Sequence, residues 1–160
     1  MRYLQEWMPA SMMVPATLRR MASLARRAVS YVPLRDLAVR LQAGLYTITA
    51  QDYAVAVREW VRGRMRLTGE REEMLKSPER MVDEINAWGW TYGDCDDAST
   101  LTAALLASVG FRVRFRAIGI RSAEPEHVVA EVMIGGVWYP LDTTAPVEVL
   151  TGQSSVTAEV

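Results

Sequence analysis

The chain has 160 residues, half of them apolar, and a formal net charge of −1. That is enough apolar material for one domain with its own core, and it leaves no overall positive charge to hold nucleic acid. A single cysteine excludes an internal disulfide framework, and no apolar run is long enough to cross a bilayer, so the chain reads as soluble and cytoplasmic.

Residues 1–16 are rich in Met and Pro without a clear period and read as an N-terminal arm. Glu6, Pro9 and Pro15 interrupt the apolar residues after Arg2, unlike a secretion signal. From Thr17, a candidate N-cap, Leu18, Met21, Ala22, Ala25 and Val29 recur at helical spacing. Arg19, Arg20, Arg26 and Arg27 fill the rest of that helix, either as a solvated face or as a contact for phosphate or an acidic partner. Through Leu45 the chain carries seven Arg against Glu6 and Asp36, about +5, and the remainder is about −6.

Pro33 opens a second helix, with Leu34, Leu37, Ala38 and Leu41 on one face and Gly44 at its C-terminal end. Thr49-x-x-Asp52 resembles a capping box, and Tyr53, Val57, Trp60, Val61 and Arg64 mark the stripe of the third helix. The charged stretch Thr68 to Lys76 reads as a surface loop. Ser77-Pro78 then restarts helix, with Met81, Val82, Ile85 and Trp88 inward.

The next helix begins near Asp94 and is apolar around most of its circumference, from Ala98 through Leu106 to Val109, which predicts a buried central helix ended by Gly110. The period then changes to two: Phe111, Val113, Phe115 and Ala117 alternate with Arg112, Arg114 and Arg116. A second strand runs from His127 to Ile134, Gly135-Gly136 makes a two-residue turn, and Val137 to Asp142 returns. The pattern predicts an α+β fold, N-terminal helices and a buried helix carrying Cys95 packed on a small antiparallel β-sheet. It forms one domain over 17–146, followed by a patternless C-terminal tail, 147–160.

Gly93-Asp94-Cys95-Asp96-Asp97 places the lone cysteine at a helix start, where orphan N–H groups and the dipole favour a thiolate. With Gly135-Gly136 as the turn, paired strand residues sum to 271, so Val129 faces Asp142 and His127 is the diagonal neighbour of Asp142. This predicts a Cys95/His127/Asp142 site: thiol nucleophile, general base, orienting carboxylate, with the Cys95 N–H as an oxyanion donor. Asp94 reads as the N-cap and Asp97 as its partner, and the thiolate persists if Asp96 and Asp97 point away from the sulfur. Each of the three residues also has an ordinary explanation, as buried hydrophobe, structural histidine or turn former. Asp94, Cys95, Asp96, Asp97 and His127 include metal-ligand types but match no zinc spacing, so no metal and no cofactor is expected. Trp60, Trp88, Trp90 and Trp138 are candidates for a substrate cleft or for core, Trp88 and Trp90 being just before Cys95.

Gly-Asp-Cys-Asp-Asp before an apolar helix, His127-Val128, and Trp138-Tyr139-Pro140-Leu141-Asp142-Thr143-Thr144 together resemble the transglutaminase-like superfamily, of papain-like cysteine protease fold, over about residues 50–145. The short size is similar to phage- and prophage-encoded members. The resemblance implies Cys95, His127 and Asp142 as the triad of a cysteine protease, amidase or acyltransferase acting on a peptide or protein amide. The competing expectation is a phage-type structural or assembly protein, virion-associated, that keeps the fold and binds a phage or host partner through its Arg-rich N-terminal helix.

Overall fold

The computed structural model describes residues 10–44, 49–68, 75–118, 127–141 and 154–160. Five helices lie among them: α1 (Ala10–Ala28), α2 (Val32–Ala43), α3 (Ala50–Arg64), α4 (Pro78–Trp88) and α5 (Cys95–Ser108). Strands β1 (Met65–Leu67) and β2 (Thr91–Gly93) pair in parallel, while β3 (Val113–Ile118), β4 (His127–Ile134), β5 (Val137–Leu141) and β6 (Ser154–Glu159) form an antiparallel sheet ordered β5-β4-β3-β6. The expected α+β architecture is therefore present.

Helix α5 is the centre of the core. Ala98, Leu101, Ala103, Ala104, Leu105 and Leu106 are all fully buried, against the N-terminal helices on one side and the sheet on the other. A helix enclosed in this way must satisfy its own hydroxyls. Thr100, Thr102 and Ser108 donate to the carbonyls of Asp96, Ala98 and Leu105, so burial leaves no orphan hydroxyl there. The surrounding helices begin where local chemistry directs: Thr49 accepts from the Asp52 N–H, and Ser77 accepts from the Arg80 N–H with Pro78 following.

In the sheet, Val113, Phe115 and Ala117 are opposite Val132, Ala130 and Val128 and face the core. The other face carries Arg114, Arg116, His127, Val129 and Glu131 by alternation. There Glu131, only 3% exposed, takes Arg114 at 2.8 Å and Arg116 at 3.3 Å. The hairpin register is the one expected, with Ile134 opposite Val137 and Ala130 opposite Leu141, and both turn glycines have positive φ.

Several elements differ from expectation. The first helix begins at Ala10 rather than at Thr17, so residues 10–16 of the expected arm are helical; residues 1–9 lie outside the described residues. Pro15 lacks only the N–H that would reach the carbonyl of Ser11, a loss confined to the helix's opening turns. The C-terminal tail is not patternless. Its last residues form β6 against β3, with Val156, Ala158 and Val160 packed on the core and Arg112 paired to Glu159 at 2.7 Å. Trp88, expected inward, is 63% exposed, because the helix ends there and Gly89 turns the chain in the left-handed region. Strands β1 and β2 were not foreseen, since three residues each show no alternation.

Candidate active site

The segment Gly93 to Asp97 is built from the backbone outward. Asp94 is the N-cap of α5, and its carboxylate accepts from the Asp97 N–H at 3.0 Å while Asp97 accepts from the Asp94 N–H at 3.1 Å, a reciprocal capping box. The second Asp97 oxygen accepts from the Lys76 N–H at 2.8 Å, which ties the chain entering α4 to the start of α5. Asp97 can sit this close because position 93 has no side chain. A Cβ there would stand 2.8 Å from the Asp97 Cβ and 2.9 Å from the Met65 sulfur. Burial pushes the Asp97 carboxyl up to about 6, helped by the adjacent Asp94 charge and opposed by the two N–H donors.

Cys95 is the first residue of α5 and is half-buried. Its sulfur lies 3.7 Å from Asp96 Oδ1, with the thiol donating. The sequence reading required Asp96 and Asp97 both to turn away from the sulfur. Asp97 does, held by the capping box and Lys76; Asp96 does not.

His127 opens β4 and is half-buried. The helix carrying Cys95 reaches the same end of the sheet. One turn after Cys95, Ser99 donates to the carbonyl of Val128, beside His127, at 3.4 Å. At its far end α5 leads within a few residues into Val113, opposite Val132, so the helix runs from the His127 end of β4 toward the turn. Asp142 lies outside the described residues, directly after the last described residue of β5.

A second polar cluster, missed by the sequence reading, braces this region. Lys76, assigned to a surface loop, has its ammonium 2.8 Å from Glu84 and 2.7 Å from the carbonyl of Tyr92. Arg80 reaches the other Glu84 oxygen at 2.9 Å and Thr91 donates to the carboxylate. Burial would raise the Glu84 carboxyl, yet the hydrogen bonds from Lys76, Thr91 and Arg80 together hold it below its ordinary value. The only signal for Lys76 was its place just before the Ser77 cap. Of the four tryptophans weighed for a cleft, Trp60 and Trp138 are half-buried beside arginines, at 5.7 Å from Arg64 and 4.2 Å from Arg114. Trp88 and Trp90 adjoin each other next to β2. Among the described residues, no group of three or more His, Cys, Asp and Glu is placed to hold a metal ion, and no helix is long and apolar enough to cross a membrane.

The family model for the transglutaminase-like superfamily matches residues 35–143. A candidate cysteine protease from Cytophaga hutchinsonii superposes with a TM-score of 0.61 at 20% identity, over 78% of this chain and 41% of that one. A candidate protease from Parabacteroides distasonis gives 0.59 at 12% identity, over 84% of this chain and 30% of that one. The chain thus spans less than half the length of either solved structure, and at these identities the likeness is one of fold. No curated protein matches the chain.

Proposed function

Because the chain belongs to the transglutaminase-like superfamily, we propose that it is a cysteine-dependent acyl-transfer enzyme, a peptidase or amide hydrolase working through a thioester on Cys95. The observation that supports this most is the capped start of the buried helix: Cys95 stands at its first position, and the same helix face bonds one turn later to the carbonyl beside His127. In this reading the ring of His127 meets the sulfur around the end of β4, since alternation puts His127 on the face away from α5.

Cys95 Sγ attacks the amide carbon as His127 takes the thiol proton, and a carbon–sulfur bond forms. The oxygen that gains charge is met by the Cys95 N–H at the helix start, where the dipole also favours an anion. The carbon–nitrogen bond then breaks, His127 returns the proton to the departing amine, and water, or less readily another amine, releases the acyl group. Asp142, the expected diagonal neighbour of His127, orients the ring and stabilises its charged form.

The test is alkylation of the native chain by iodoacetamide across pH, followed by mass spectrometry of the Cys95 peptide. A reactive thiolate labels faster than free cysteine below neutral pH, and His127→Ala slows it. Labelling no faster than free cysteine and indifferent to His127→Ala overturns the proposal.

A further inference from the structure

The solvent face of the β1–β2 pair carries an aromatic ladder that neither the core nor the capping box explains. Trp88 and Trp90 lie 6.2 Å apart, and Trp90 meets Tyr92 edge-to-face at 4.6 Å. Trp88 is 63% and Tyr92 47% exposed. Aromatic residues kept at the surface in a contiguous row are unusual unless something binds them. The ladder is also cationic. The Arg66 guanidinium sits 4.0 Å over the Trp90 ring, and Arg64 donates to the Gly89 carbonyl between the two tryptophans. Six arginines, Arg27, Arg58, Arg80, Arg112, Arg114 and Arg116, have a carboxylate within 4.0 Å. Arg64 and Arg66 have no carboxylate partner among the described residues and are directed at the aromatic ladder instead.

Two guanidinium groups that meet no carboxylate among the described residues, set beside packed aromatic rings, complement a chain that is negative and offers flat or apolar groups. Position decides what kind of chain. Strand β2 runs directly into Asp94 and Cys95, and at about 3.3 Å per residue Tyr92 lies about 10 Å from the thiol. A polymer lying on Tyr92, Trp90 and Arg66 is therefore carried to Cys95. At that end it meets the carboxylates of Asp94 and Asp96, which repel a continuous phosphate backbone but accept a neutral stretch of polypeptide.

We propose that Arg64, Arg66, Trp88, Trp90 and Tyr92 form a substrate-docking platform for an acidic polypeptide segment. Its Glu and Asp side chains lie about three to six residues from the amide presented to Cys95. This rests on Cys95 being the nucleophile, and the experiment keeps the two apart by measuring binding without turnover.

The full chain carrying Cys95→Ala is titrated into a fluorescein-labelled peptide of alternating Glu and Tyr, the matched Lys and Tyr peptide, and a labelled oligothymidylate, read by fluorescence anisotropy. The Glu peptide binds at least about tenfold tighter than the Lys peptide, and Arg66→Glu weakens it by about tenfold or more, the loss of one charge-assisted contact and its reversal. Trp90→Ala weakens it several-fold. Tyr92→Ala, at an exposed position, gives an independent variant should Trp90→Ala unfold. Equal affinity for the Glu and Lys peptides, or insensitivity to Arg66→Glu and Tyr92→Ala, overturns the platform. Tighter binding of oligothymidylate than of the Glu peptide, lost in Arg66→Glu, overturns it in favour of a nucleic-acid surface. Correct binding together with a Cys95 that fails the alkylation test removes the enzymatic reading and leaves an acidic-peptide binding face.

Discussion

Replacing Asp96 by Asn keeps the shape of the side chain and removes its charge, so Asp96→Asn isolates what the carboxylate does to the thiol 3.7 Å away. Two unit charges at that separation repel by about 1 kcal/mol in water-like surroundings and by about 4 kcal/mol at an effective dielectric near 20. Both side chains are half-buried at a helix start that meets solvent, which favours the lower end, about 1 to 1.4 kcal/mol. Removing the repulsion raises the thiolate population about five- to tenfold wherever the thiol form dominates. A less basic thiolate is also a poorer nucleophile, its rate following basicity to about the 0.4–0.5 power, so the net gain in alkylation is about two- to fourfold. Initial rates of iodoacetamide labelling at about pH 6.5 and at about pH 10 give the comparison. Asp96→Asn should label faster at the lower pH and no faster at the higher, where both proteins are fully ionised and only the weaker nucleophilicity remains. An unchanged or slower rate at the lower pH refutes the argument that this carboxylate opposes the thiolate.

The same geometry sets three further outcomes. Gly93→Ala forces a Cβ to within 2.9 Å of Asp97 and Met65, and should lower stability by about 1–3 kcal/mol, seen as a Tm drop of roughly 3–10 °C by differential scanning calorimetry. Asp97 has its folded carboxyl lifted from 3.8 to about 6, so its contribution is complete below about pH 4 and is lost as pH rises through about 6. In urea titrations wild type should gain stability relative to Asp97→Asn as pH is lowered from about 7 to about 5; a constant difference would contradict this. Lys76→Met leaves Glu84, with its side chain 12% exposed, short of a charged partner, at a cost of about 2–4 kcal/mol at neutral pH. Because the Glu84 carboxyl is held below its ordinary 4.5, that cost should be present above about pH 4.5 and shrink as pH falls below it, checked by the same titration.

What was legible in the sequence depended on how many residues repeat a pattern. Helix α5 was readable because its stretch of small and apolar residues has no polar face to hide, and because Asp94 and Asp97 sit at cap spacing. The β4–β5 register followed from two adjacent glycines, since a two-residue turn leaves one pairing that keeps Ala130 and Val132 toward the core. Strands β1 and β2 are too short for a period, and in β6 only Val156 and Ala158 alternate with polar Thr157 and Glu159, too little to stand out from a Ser/Thr-rich tail. The start of α1 was not legible because residues 10–16 show no clear apolar period, and Pro15 among them costs the helix one bond without ending it.

The site divides along the same line. Residues that act through neighbours in sequence, such as Asp94, Asp97 and the Ser77 cap, could be assigned from spacing, because a helix start offers only a few donors and the partner must be three residues away. Lys76 could not, since its four partners come from α4, β2 and α5 and meet only when those elements pack. The direction of Asp96 belongs to the same class. Its place along the helix permits either outcome; in the structure Asp94 and Asp97 are turned to each other's backbone, while Asp96 lies 3.7 Å from the sulfur. At this helix start the dipole and Asp96 pull on the sulfur in opposite directions. If His127 takes the thiol proton, as proposed above, the reactivity of Cys95 should respond to His127→Ala and to Asp96→Asn with opposite sign.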